Sequence, residues 1–378
     1  MDIKSYVKKI REIGIETITG IPDSTLKDFC NYIEKEGKDI FPYHVVAANE
    51  GGAIGIAIGE YLATGKPACV YMQNSGVGNA VNPLSSLAHI DVYGIPMLLM
   101  IGWRGEPGTK DEPQHKYMGK ITLRLLEVLD ISYSVITDWT TEKDLEQMLL
   151  RAKSDFLKGK QYALIIKKDA FEKIREPIRE NGYYLGREEA IAIIVGQLGK
   201  EDLVVSTTGK ISREVYEQSD LQLGNHSQIF MTVGGMGHAN MIACQLAKRL
   251  PAKRLICLDG DGAILMHLGN LAIIGKQSPS NLIHICLNNG AHESVGGMPT
   301  GAPRLNLCNI AERMGYQRVV RVDNREGLEK CLNTVCREKM LTFLEISVSL
   351  GARKNLGRPK EAAKENKKSF RKMVERIE

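Results

Sequence analysis

Two stretches of the sequence combine residues that handle charge with residues that leave room for it. Leu258-Asp259-Gly260-Asp261-Gly262-Ala263 ends an apolar run in alternating carboxylates and glycines, and Ile283-His284-Ile285-Cys286-Leu287-Asn288-Asn289-Gly290 ends another in an asparagine pair, with residues 263–287 between Gly262 and Asn288. If both runs are parallel strands, their ends emerge side by side at one sheet edge, where ligands of such sheets bind. One carboxylate and one amide oxygen are a sensible protein share of a Mg²⁺ shell that also takes phosphate oxygens. Gly260 and Gly262 let backbone approach those phosphates. A helix starting near Ala263 offers its free N–H groups and positive dipole end to a diphosphate.

A second candidate lies in Val45-Val46-Ala47-Ala48-Asn49-Glu50-Gly51-Gly52-Ala53, where Glu50 stands between an apolar strand and a helix of small residues, 53–63. Gly51, Gly52, Gly55, Ala57 and Gly59 would admit a second helix or a flat ring, and taken alone Glu50 reads as a carboxylate at the favourable dipole end of a helix. Gly234-Gly235-Met236-Gly237-His238-Ala239 is another expected strand-to-helix turn, with a bulky Met236 that suits packing better than phosphate binding. Arg104, Lys110, His115, Lys210, Arg213 and His292 fall on expected loops at sheet edges. Arg is suited to fork an anion and His to relay a proton, although each of these residues alone reads equally well as a solvated loop charge.

The elements that must carry these residues follow from periodicity. Short apolar runs at 17–20, 43–47, 68–72, 97–101, 133–136 and 163–167 alternate with amphipathic stretches, the pattern of a parallel α/β sheet. The pattern lapses between about Ala170 and Gly186, through Pro177 and Asn181-Gly182, then restarts with a helix at 188–198 and strands at 203–206, 228–232, 254–258, 282–287, 319–322 and 342–348. The reading is an α/β chain of two parallel-sheet domains without a third domain between them. Its divisions are 1–170, a linker at 171–186, a second domain at 187–350 and a basic C-terminal tail at 351–378.

Composition excludes several classes. With 43% hydrophobic and 25% charged residues in 378, the chain is globular. Its net charge of +5 resides in residues 351–378, which hold 10 Lys/Arg against four Glu; the rest is at −1, with 40 Lys/Arg against 41 Asp/Glu. Such a tail reads as a solvated terminal helix, with disorder expected only there, and no nucleic-acid partner is expected. Eight cysteines without a Cys-x-x-Cys pair look like reduced core residues. The first ten residues lack a signal-peptide core, and no run approaches the roughly 18 apolar residues of a membrane span. A cytoplasmic enzyme is the expectation. Gly76-Val77-Gly78 lacks the third glycine of a dinucleotide fingerprint, which weakens a nicotinamide dehydrogenase reading.

The pairing of Gly260-Asp261-Gly262 with Asn288-Asn289 resembles the thiamine-diphosphate motif of the decarboxylase and carboligase superfamily. The resemblance implies thiamine diphosphate and Mg²⁺ as cofactors, with Mg²⁺ held by the side chains of Asp261 and Asn289 and the backbone carbonyl of Ala291. It also implies Glu50 as partner of the pyrimidine N1′. A carboxylate there stabilises the protonated ring nitrogen and favours the imino tautomer with which the cofactor activates its own thiazolium carbon. Met236 takes the place of the apolar wedge beneath the cofactor. Asn74, Ser75, Thr208, Gly209, Gly235, Gly260, Gly262 and Ala263 fall at cofactor-binding positions.

Larger superfamily members insert a third domain. This compact chain resembles the members acting on phosphonopyruvate or sulfopyruvate, through Gly20-Ile21-Pro22-Asp23-Ser24, Gln73 to Pro83, Ile101 to Gly108, Asp111 to His115, Thr207 to Lys210 and Asn289 to Gly297. Met298 and Gly235 depart from the Gln and Ser expected there. The implied reaction converts phosphonopyruvate to phosphonoacetaldehyde and CO₂ without a redox cofactor. Glu50, His115 and His292 are its catalytic candidates, and Arg104, Lys210 and Arg213 its substrate contacts. Sulfopyruvate is the close alternative. An acetolactate-type carboligase or a catalytically silent cofactor-binding protein is more distant, the latter because both the metal ligands and Glu50 are present. Family members bind the cofactor across two subunits, so a homodimer or homotetramer is expected.

Overall fold

The computed structural model describes residues 1–175 and 179–377, so Pro177 of the expected linker lies outside the described residues. The chain divides into two compact units, Met1–Ile178 with Ser294–Met298, and Arg179–Glu293 with Pro299–Glu378.

In the first unit β1 (Thr17–Gly20), β2 (Tyr43–Val46), β3 (Ala68–Gln73), β4 (Met97–Gly102), β5 (Ser132–Ile136) and β6 (Tyr162–Ile166) form one all-parallel sheet in the order β2-β1-β3-β4-β6-β5. β4 and β6 are buried along their whole length, as continuous apolar strands covered on both faces must be. Tyr6, Phe29, Tyr71 and Phe171 make edge-on and stacked contacts in the core of this unit, and Met298 is buried in the same cluster. Phe171 belongs to the segment read as a linker, and its burial follows from its aromatic bulk.

The second unit repeats the plan. β7 (Leu203–Ser206), β8 (Ile229–Met231), β9 (Leu255–Gly260), β10 (Leu282–Asn288), β11 (Arg318–Val322) and β12 (Thr342–Ser347) pair in the order β11-β12-β10-β9-β7-β8. Read from the other edge, this is the strand order of the first sheet. One apolar cluster centres on Leu255, Leu271 and Phe343 and another on Ile256, Ile285 and Leu344. Alternate residues of the same strands thus feed different clusters, as a period of two requires.

The C-terminal segment departs from expectation. Residues 351–378 are not a free basic tail: their helix, Ala363–Ile377, packs on the second unit with Phe370 and Val374 buried. Asn366, one turn earlier, donates from Nδ2 to the carbonyl of Ile229 at 2.8 Å and accepts from the N–H of Met231 at 3.1 Å. β8 is an edge strand, and this asparagine satisfies backbone groups that such an edge would otherwise present. The charge concentration hid an apolar spacing of four residues between Phe370 and Val374.

Candidate active site

The strongest motif is assembled by strand register. β9 and β10 pair in parallel with Gly260 opposite Leu287, so Asp261 and the Asn288-Asn289 pair leave the sheet together. Asp261 is the first residue of the helix Asp261–Met266 and is only 3% exposed. Thr300 donates to its Oδ2 at 2.5 Å. Burial pushes its carboxyl up to about 6, against the opposing pull of Thr300 and of the backbone N–H groups of Asp261, Asn289 and Gly262. A side chain at Gly262 would press within 3.2 Å of the His292 ring and 3.3 Å of Thr300.

These residues fit Mg²⁺. Asp261 is a buried carboxylate surrounded by hydrogen-bond donors, and its neighbours Asn289 and Ala291 add an amide and a backbone carbonyl, all hard oxygen donors. Asn289 is buried, its Oδ1 accepting from the N–H of Ala291 at 3.1 Å and its Nδ2 donating to Glu293 at 2.8 Å. A divalent cation bound there would offset the unfavourable burial of the Asp261 charge.

Loops after β7 and β8 border this edge. The N–H of Thr207 donates to the carbonyl of Leu258 at 2.8 Å, and Thr208 bonds the carbonyl of Val233 at 3.0 Å. Gly209 precedes the helix Lys210–Leu223 with φ +94°, a conformation that favours glycine. Met236 is half-buried between Gly235 and Gly237, both at positive φ. A Cβ on Gly237 would come within 2.9 Å of the Ala263 carbonyl and 2.6 Å of the His267 ring, so this loop lies against the start of the Asp261 helix. Nothing in the sequence singled out His267, whose Nε2 is buried without a hydrogen-bond partner among the described residues.

The first unit holds Glu50. Asn49 caps the helix Glu50–Thr64 by accepting from Gly52 N–H at 2.8 Å, which makes Glu50 its first residue. Its carboxylate is 5% exposed and accepts from Asn79 Nδ2 at 2.8 Å. Burial raises its pKa above the usual carboxylate range, more than the Asn79 bond lowers it. A Cβ on Gly76 would lie 2.2 Å from Glu50 Oε1, so glycine is required where the two chain segments cross. Asn79 and Gly76 lie in a stretch that resembles the family, but sequence assigned them no role.

Several expected contacts are engaged elsewhere. The Asn74 side chain is fully buried: it donates to the Arg104 carbonyl at 2.9 Å and Thr122 at 2.8 Å and accepts from Arg104 N–H at 3.2 Å, tying the end of β3 to that of β4. Ser75 is exposed and accepts from Gln73 at 2.5 Å. Arg104 forks Asp111 at 2.8 and 2.5 Å and donates to Ser24 at 2.6 Å. A guanidinium has five N–H donors, so part of its capacity remains. Lys110 is exposed in the same loop. Lys210 is paired with Glu293 at 2.9 Å, while Arg213 is half-buried on the helix that Lys210 begins. His115 and His292 are both pushed down to about 4, chiefly by burial, so each is a neutral imidazole at pH 7.

A buried charge network was also missed. Arg187 forks Glu214 with two bonds of 2.7 Å and also bonds Glu293, which accepts from Lys210 and Asn289 as well. Burial pulls the Arg187 pKa down, but the two glutamates more than restore it. In sequence these residues are up to 106 positions apart, and only the fold brings them together.

Two doubly covered parallel sheets, a buried helix-initial glutamate in one and a carboxylate-amide oxygen site in the other define a thiamine-pyrophosphate enzyme. Residues 4–123 match the thiamine pyrophosphate enzyme N-terminal TPP-binding domain and residues 208–346 the C-terminal TPP-binding domain. The chain is 34% identical to phosphonopyruvate decarboxylase from Streptomyces viridochromogenes over 96% of its own length and 92% of that protein. The corresponding Streptomyces hygroscopicus protein is 31% identical, with 95% and 90% covered. Sulfopyruvate decarboxylase from Methanosarcina acetivorans is 27% identical, with 92% and 91% covered. The chain belongs to the phosphonopyruvate decarboxylase family.

Proposed function

We propose that this protein is a Mg²⁺- and thiamine-diphosphate-dependent decarboxylase that converts phosphonopyruvate to phosphonoacetaldehyde and CO₂. The observation that carries the reading is the emergence of buried Asp261 beside Asn289 at one sheet edge, in a chain similar along nearly its whole length to enzymes of that name. Thiamine diphosphate, when bound, supplies the sink for the electrons released as the bond to the departing carboxylate breaks.

The chain's own residues do the rest. Asp261, Asn289 and the Ala291 carbonyl would hold Mg²⁺, with Thr208, Gly209, Gly235, Gly260, Gly262 and Ala263 lending close backbone to the diphosphate and Met236 an apolar support. Glu50, whose raised pKa suits it to share a proton, holds one at the pyrimidine N1′. Arg104 and Arg213 bind the anionic groups of the substrate. Lys210, with one of its three N–H donors on Glu293, joins them. As neutral imidazoles, His115 and His292 orient water or a hydroxyl for the proton that replaces CO₂ on the carbonyl carbon.

The reading includes at least a homodimer and a cytoplasmic location. No disulfide joins any of the eight cysteines, which suits a reducing compartment, and no described helix is long and apolar enough to cross a membrane. The test is CO₂ release with thiamine diphosphate and Mg²⁺ from phosphonopyruvate, sulfopyruvate and pyruvate. Phosphonopyruvate turnover is expected to dominate and to fall by about 10²–10⁴ in Glu50→Gln, the range for losing a positioned proton-transfer group. Turnover of sulfopyruvate alone would overturn the substrate, and condensation of two pyruvates would point to a carboligase.

A further inference from the structure

Glu293 lies at the centre of the buried network and two residues beyond Ala291. Its carboxylate accepts from Arg187, from Lys210 at 2.9 Å and from Asn289 Nδ2 at 2.8 Å. Arg187 is itself immobilised by the Glu214 fork, with side chains 4% and 1% exposed. The loop from Asn289 to Glu293 is therefore pinned at its far end to two helices, Arg187–Gly196 and Lys210–Leu223.

The bond to Asn289 also selects an orientation. An amide presents an acceptor on one side and two N–H donors on the other, and a half-turn about its last torsion exchanges them. With Nδ2 held by an anion, the oxygen must occupy the opposite side, where Ala291 N–H reinforces it. A flipped amide would set N–H groups toward a cation and repel it.

We propose that Glu293 is a positioning residue for the metal site: anchored by Arg187, it holds the Asn289–Ala291 loop and turns the Asn289 amide oxygen outward for Mg²⁺. Arg187 and Lys210 balance the charges of Glu214 and Glu293, so the peg adds no net negative charge beside Asp261. The inference rests on the reading of Asn289 as a metal ligand.

The experiment is a Mg²⁺ titration of EDTA-treated, full-length protein with thiamine diphosphate present, by calorimetry, with Mn²⁺ binding read in parallel by electron spin resonance. Glu293→Gln keeps the side chain's shape but loses the charge that holds Arg187 and Asn289 together. It is expected to weaken metal binding by about 10–100-fold, the usual cost of removing a group that orients a ligand. Lys210→Met, which leaves Arg187 and Asn289 on Glu293, should stay within about threefold of wild type on that same scale. If Glu293→Gln cannot be purified folded, Arg187→Lys carries the test, since a lysine cannot hold both glutamates in a fork. Unchanged affinity in Glu293→Gln, or in Arg187→Lys where that variant is used, would overturn the positioning role. Failure of wild-type protein to bind metal would instead sink the metal reading itself.

Discussion

Glu50 and Gly76 act as one feature, because the carboxylate occupies the space that any side chain at 76 would need. Burial there makes ionisation of Glu50 unfavourable, and the consequence for stability has a definite sign. An acid whose pKa is higher in the folded than in the unfolded chain binds more protons when folded, so stability falls as pH rises through that interval. Below the ordinary carboxylate range both states are protonated and the penalty vanishes. Glu50→Gln, which mimics the protonated group, should therefore raise the melting temperature of the cofactor-free protein at pH 7 and give no advantage near pH 3. Parallel melting curves at the two pH values check this; equal temperatures at pH 7 would show that the charge is not penalised. Glu50 was legible because its carboxylate follows a strand and opens a glycine-rich helix. Its partner Asn79 was not, since a hydrogen bond across 29 residues leaves no local mark.

At the scale of elements, the strands were legible almost to the residue, because parallel strands buried on both faces are short apolar runs that little else resembles. The terminal helix was misread for the converse reason. Its charges dominate its composition, and among the described residues Asn366, Phe370 and Val374, each four apart, are the buried ones. Phe370 packs 5.6 Å from Phe230 of β8. Phe370→Ala is expected to cost about 3–5 kcal/mol, as for other large-to-small substitutions of buried phenylalanine. Urea denaturation of the second unit's transition would measure it; a loss below about 1 kcal/mol, a surface-like value, would mean that the helix contributes little to that unit.

At the scale of the molecule, the same strand order occurs twice, yet the two units bury different polar groups: the Glu50 carboxylate in one, Asp261 beside Asn289 in the other. On the proposed reading one unit takes the pyrimidine ring and the other the diphosphate, and the proposal, following the family resemblance, draws these from two copies of the chain. Light scattering should give at least twice the 41.9 kDa of one chain, and full activity should require that species. An active monomer would remove the shared-site part of the reading while leaving the cofactor residues in place.

By itself the sequence determined the fold class, the position of Glu50 and the Asp261–Asn289 motif, since each depends on neighbours within a strand and the turn that follows it. Only the tertiary structure decided which polar groups remain available. It assigned Asn74 to the joint between β3 and β4 and set Arg104 on Asp111. It also placed Lys210 on Glu293 and Phe370 in the core of the second unit. Strand and turn preferences are local and leave a pattern in the order of residues. The partners of a buried polar group are fixed by packing between distant segments, where an unsatisfied donor or charge is too costly to leave and the nearest complement is known only once the chain has folded.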